Sequence, residues 1–285
     1  MAITNRYDFI MLFDVENGNP NGDPDAGNTP RMDAETGYGY ITDVCLKRKI
    51  RNFVELAKEG ESGYNILVKP DKALNTRFAE AYDAEQLERG KKGKKADDVK
   101  KARDYMCRNY FDVRAFGAVM STGDNPCGIV RGPVQITFAR SLSQINIEDV
   151  TITRQARTTE DRQETGGTEM GRKSIIPYAL YRAEGYISAA LAQKVTGLSD
   201  DDVELLWDAI VNMFENDHSA ARGKMCMRKL YIFKHDSTLG NCPSHVLFDK
   251  VEVSLKEEKP PRQFADYTIH VDDAMPEGGT LIEKL

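Results

Sequence analysis

Three clusters of polar and cationic side chains could carry chemistry in this sequence. The first is NGNPNGD at 17–23, directly after a short apolar stretch at 9–13. Asn17, Asn19 and Asn21 alternate with Gly and Pro, residues that tolerate unusual backbone angles and expose amide groups. An amide-rich loop delivered by a rigid strand suits contact with a nucleic-acid backbone, a purely structural turn being the alternative. The run superficially imitates a calcium loop. Asparagines replace the early carboxylates, however, and Asn28 stands where a bidentate glutamate belongs, so no metal is expected. The second cluster is Lys47, Arg48 and Arg51 in ITDVCLKRKIRNFVELA, which reads as a helix. Leu46, Ile50, Phe53 and Ala57 form its apolar stripe, which puts the three cations on the solvent side. Thr42 lies near the start, where free amides and the dipole favour a phosphate. The third is the polar, glycine-punctuated stretch 151–175, with Arg154, Arg157, Arg162, Arg172, Lys173 and a lone apolar Met170. Arginines grip phosphates with paired hydrogen bonds or stack on bases, and a methionine could wedge between bases.

Enzymatic signatures are sparse. There is no GxxxxGK[ST] phosphate loop, no GxSxG elbow and no zinc spacing. Asp14, Asp23, Asp25, Asp33 and Glu35 cluster in sequence and could hold Mg²⁺ for nucleolytic chemistry, although paired carboxylates are common in polar loops. The five cysteines have no Cys-x-x-Cys pair and the four histidines no ligand pattern; both read as packing or surface residues. No cofactor is expected.

The elements that must position these clusters follow from length and periodicity. A chain of 285 residues, 40% hydrophobic and 29% charged, has ample core and is not disordered. No apolar run reaches membrane-spanning length and the N-terminus lacks the apolar core of a signal peptide, so a cytoplasmic protein is expected, with no membrane partner. The net charge of −6 is awkward for a nucleic-acid binder, but it is unevenly spread: 89–103 carries eight basic and two acidic residues, whereas 200–217 holds seven acids. Strands are predicted at 7–15, 131–140, 176–188, 226–235 and 246–255. Helices are predicted at 41–58 and, capped by Ser199 with Asp202, over 199–214. Residues 60–128 read as a largely helical insertion, including one amphipathic helix over 97–116, and the acidic tail 256–285 as wrapping or fraying. Without the insertions the order is β-α-β-β-α-β, an α+β ferredoxin-like arrangement shared with RNA recognition motifs.

FDVENGNPNGDPDAGNTPR, followed by ITDVCLKRKIRNF and then DVRAFGAVM at 112–120, closely resembles the CRISPR-associated backbone subunit of type I Cascade, in its type I-C form, within the RAMP superfamily. The resemblance covers essentially the whole chain. It implies an RNA recognition motif-like palm (1–59, 129–150 and 176–285), a helical finger insertion (60–128) and a thumb hairpin (151–175). It further implies a non-catalytic subunit that stacks head-to-tail as a homo-oligomer along CRISPR RNA, the crRNA, beside other Cascade subunits. Each thumb would kink the RNA and leave the intervening bases free to pair with target DNA. Carried onto this sequence, backbone contacts fall to Asn17, Asn19, Asn21, Arg31, Thr42, Lys47, Arg48 and Arg51. Thumb contacts fall to Arg154, Gln155, Arg157, Met170 and Arg172. No aromatic-rich strand of the R-G-F-x-F kind is present, so stacking across the sheet face is not expected. A metal-dependent endoribonuclease using Asp23, Asp25 or a neighbour is the runner-up, and a self-assembling protein without a nucleic-acid role the third reading.

Overall fold

The computed structural model describes residues 1–90, 95–154 and 169–285. Its central strand is β1 (Tyr7–Gly18), where Phe9, Met11 and Phe13 face one way and Ile10 and Leu12 the other, all fully buried. A strand apolar on both faces needs cover on both. It lies between β10 (Glu169–Ile187) and β11 (Lys224–His235), antiparallel to each. Beyond β10 come the short strands β7 (Val134–Ile136) and β8 (Ala139–Gln144), then the edge strand β4 (Tyr38–Ile41). On the far side β14 (Gly279–Glu283) pairs with β11. The result is a mixed α/β protein built on one large antiparallel sheet.

One face is covered by α1 (Asp43–Ala57) and α5 (Asp200–Asn212). Leu46, Ile50 and Val54 of α1 meet Val203, Leu206, Trp207 and Ile210 of α5 over the sheet, with Trp207 edge-on to Phe9 at 5.1 Å. Each such side chain contributes about 1.5–3 kcal/mol on burial. Ser199 and Asp202 close the expected capping box. The α1 stripe differs from the predicted one: Val54 is buried whereas Ala57 is exposed.

The other face is also closed. Ile10, Leu12, Tyr178, Leu180, Tyr231 and Phe233 pack under α6 (Ser244–Phe248) and the hairpin of β12 (Val251–Leu255) and β13 (Tyr267–Val271). The acidic tail therefore wraps rather than frays.

Several boundaries differ from the sequence reading. The segment predicted as one strand at 131–140 is broken into β6 (Gly128–Arg131), which forms a separate hairpin with β5 (Gly117–Met120), and then β7 and β8. Pro133 has no amide to donate, and a Cβ at Gly132 would lie 2.1 Å from the backbone of Phe116. The helix predicted over 97–116 is two, α3 (Ala96–Asn109) and α4 (Phe111–Phe116), divided by extended backbone at Tyr110. With α2 (Leu74–Ala84) these bury a second core around Phe78, Tyr82, Met106 and Val130. Only the latter half of 246–255 is strand, residues 244–248 being helical. The described part of the polar projection pairs as a hairpin, and what differs is the strand boundary. Its second arm is the start of the nineteen-residue β10, which leaves the sheet to pair with β9 (Glu148–Arg154). Among the described residues no helix is long and apolar enough to cross a membrane.

Candidate nucleic-acid interface

The loop after β1 is held by its own asparagines. Asn17 takes a left-handed φ of 51°, and a Cβ on Gly18 would fall 1.9 Å from the carbonyl oxygen of Arg222, so the chain must carry glycine there. The buried Asn19 donates from Nδ2 to the Asn28 carbonyl at 2.7 Å, and its N–H donates to the Ala221 carbonyl at 2.8 Å. Asn21 Oδ1 accepts from both the N–H (3.0 Å) and the hydroxyl (3.1 Å) of Thr42. Thr42 in turn caps α1, its Oγ1 accepting from the Cys45 N–H at 3.3 Å. Asn21 and Thr42 therefore weld the loop to the start of α1, and Asn19 ties it to Asn28 and Ala221. Arg31 pairs with Asp23 at 3.3 Å, and Asp23 Oδ1 also accepts the Asp25 N–H.

The α1 cations do not share one fate. Lys47 reaches back to Asp43 at 2.9 Å. Arg51 Nε donates at 2.8 Å to Asp112, a fully buried carboxylate that also accepts the N–H groups of Leu67 and Val68. Both cations lie against the Phe116 ring, with side chains only 13% and 12% exposed. The expectation that all three stand free in solvent is corrected: neighbouring acids draw two of them down. Arg48 stays exposed and makes no ion pair among the described residues.

The β9–β10 hairpin presents its groups differently. In its register Met170 sits opposite Thr153 and Arg172 opposite Thr151, so both project from one face. Met170 is 77% exposed and the Arg172 side chain 73%, with Asp149 at a loose 3.6 Å. Lys173, on the opposite face with Val150 and Ile152, donates to the Ala220 carbonyl at 2.8 Å. The Arg154 backbone pairs with Glu169 in the ladder; Gln155 and Arg157 lie outside the described residues.

These parts converge on a polar cavity of about 270 Å³, walled by Asn19, Gly27 and Asn28 of the loop, Arg172, Lys173 and Ser174 of the hairpin, and Ala221. The Ala221 wall is the segment 217–223, which sequence reasoning passed over. Asp217 anchors it by accepting close contacts from the buried Lys49 and from Arg222. Burial pulls the Lys49 ammonium below the usual lysine range, against its bond to Asp217. A lysine placed between Leu46 and Ile50 on the apolar stripe was the available signal, because a buried cation requires a partner. Lys173 was visible as one more cation of the projection but not as a wall of the site. The structure thus brings Asn19 and Arg172 together, leaves Arg48 on a separate exposed helix face, and commits Lys47 and Arg51 elsewhere.

The model of the CRISPR-associated protein Cas7 family matches residues 5–272. The CRISPR-associated protein Cas7 of Haloferax volcanii is 28% identical over 241 residues, 74% of this chain and 66% of that protein, so the chain spans a little under two thirds of its length. A chain from a solved CRISPR RNA-guided surveillance complex, pre-nicking, is similar in fold, with a TM-score of 0.50 and 16% identity over 80% of this chain and 78% of that chain. With nearly the whole sequence matched by the family model, this chain belongs to the CRISPR-associated Cas7 family.

Proposed function

We propose that this chain is a crRNA-binding backbone subunit of a CRISPR surveillance complex, of the type I-C Cascade kind. It grips the ribose-phosphate chain and leaves the bases for pairing with target DNA. The observation that carries the reading is the cavity where the post-strand loop, the hairpin base and the 217–223 segment meet. Backbone groups, asparagines, an arginine and a lysine line it, a set that suits phosphate and ribose. The family membership and the surveillance-complex fold support the same assignment.

In this reading the large sheet with α1 and α5 is a palm of the RNA recognition motif type. The long strands run in the order β11-β1-β10, with the short β7 and β8 on the far side of β10 and α1 and α5 in the crossovers, which supports the β-α-β-β-α-β reading. The second core around Phe78 and Tyr82 is the finger region and the β9–β10 hairpin the thumb. Copies stack head-to-tail, each thumb reaching along the RNA. Asn17, Asn19, Arg31 and Arg48 contribute from the palm, Met170 and Arg172 from the thumb, and Asn21 and Thr42 by holding the loop. The subunit acts as a scaffold without cleaving; Asp23, one of the acids the nuclease alternative would use, is engaged with Arg31 and the Asp25 amide.

The test is binding of labelled single-stranded RNAs of unrelated sequence to the purified chain across a salt series, with Mg²⁺ present and the RNA analysed for cuts. The proposal expects equal affinities for all sequences, falling steeply with salt, and intact RNA. Absence of binding, a strong sequence preference, or cleavage abolished by Asp25→Ala would overturn it.

A further inference from the structure

The edge of the sheet carries an aromatic surface that neither the core nor the cavity uses. Tyr40 on β4 and Phe138, between β7 and β8, lie parallel, with ring centroids 6.3 Å apart and planes 6° from one another. Phe138 is 51% exposed, and Tyr38, two residues before Tyr40 on β4, 37%. None of the three belongs to a buried apolar cluster among the described residues. Arg140 is the cross-strand partner of Tyr40, its side chain 67% exposed, with its nearest acid, Asp33, at 3.9 Å. Large flat rings left in water beside an exposed, loosely paired guanidinium are poorly explained as packing.

We infer that this edge is a stacking platform for bases of the bound RNA strand. The inference rests on the function proposed above and adds a second, base-contacting element to it. Continuity with the proposed interface favours RNA as the occupant. The Tyr40 N–H donates to the Arg31 carbonyl at 3.1 Å, and the Arg31 N–H to that of Asn21. One residue after β4 comes Thr42, the cap of α1. A strand leaving the loop therefore meets the aromatic edge next. Charge agrees: Arg140 beside the rings can take a phosphate while bases lie on Phe138 and Tyr38. Stacking on a π-face accepts any base, so the platform preserves the sequence independence expected of a scaffold. It also shows why the sequence carries no aromatic strand signature: the rings sit at the edge, because the tail covers the face where such a motif would lie.

The test compares the full chain with Phe138→Ser for binding of a short oligouridylate and of an abasic ribose-phosphate strand of equal length, thermal melting reporting the fold. The platform predicts roughly five- to thirtyfold weaker binding of the oligouridylate by the variant, an unchanged salt slope, and equal binding of the abasic strand. Ultraviolet cross-linking of 5-iodouridine RNA to the unaltered chain should modify peptides containing Phe138, Tyr40 or Tyr38, a readout independent of how the variant folds. If the parent binds RNA but Phe138→Ser binds equally well and cross-links map elsewhere, the platform is wrong while the proposed function stands. If the parent binds no RNA, both fall. If Phe138→Ser instead alters sedimentation without altering RNA affinity, the face is a contact between copies and the platform is likewise rejected.

Discussion

Helix α1 and the β9–β10 hairpin present the same kinds of cation in opposite ways. On α1, Lys47 and Arg51 lie against Phe116 and pair with Asp43 and Asp112. On the hairpin, Arg172 stands in solvent with a loose acid at 3.6 Å, and Lys173 donates to a backbone carbonyl and makes no ion pair among the described residues. A packed helix brings carboxylates from neighbouring elements within reach of its cations. A two-stranded ribbon leaving the sheet has few neighbours, so its cations remain available. Sequence pattern identifies a charge, whereas availability depends on what folds beside it.

The largest expected effect breaks the helix side of the contrast. Asp112→Ala strands Arg51 and leaves the Leu67 and Val68 amides unpaired, so unfolding in urea should show about 3–5 kcal/mol lost. A loss below about 1 kcal/mol would mean that Arg51 is not held there and is open to a ligand. Alkaline pH sharpens the same side. Burial pushes the thiols of Cys107 to about 11 and Cys127 to about 12, from an ordinary 9.0. Groups with raised native values hold their protons longer folded than unfolded, so their contribution is complete below about pH 9 and is lost as pH climbs through 11 to 12. Arginine stays charged over that range, so the Arg51–Asp112 pair persists. Denaturation midpoints should therefore hold to about pH 9 and then fall, less steeply in Cys127→Ala; an equal fall in that variant would place the loss elsewhere. The smallest effect belongs to Lys47→Ala, whose helix-surface pair with Asp43 is worth about 0.3–0.5 kcal/mol.

Much of the frame was legible because it rests on local pattern. The apolar run of β1, the Ser199 capping box and the α5 stripe each act within a few residues. What escaped depended on distant partners. The Lys49–Asp217 anchor joins residues 168 apart in sequence, and no periodicity predicts it. Of the hairpin that closes the second sheet face, β12 fell within the strand predicted at 246–255, but its partner β13 was hidden because that tail is acidic and only weakly patterned. In the site, Asn19, Asn21 and Thr42 were recognisable by type, yet their side chains hold the loop together, a distinction that only hydrogen-bond geometry reveals.

The central claim is that hairpin cations, more than those of α1, hold the RNA backbone. The most direct test is the salt dependence of RNA affinity for the parent, Arg172→Gln/Lys173→Gln and Lys47→Gln/Arg51→Gln. Each phosphate contact removed should flatten the log–log slope by about 0.7, so the hairpin pair should lower it by roughly 1.4 and the helix pair should leave it unchanged. A helix pair that flattens the slope while the hairpin pair does not would contradict the account.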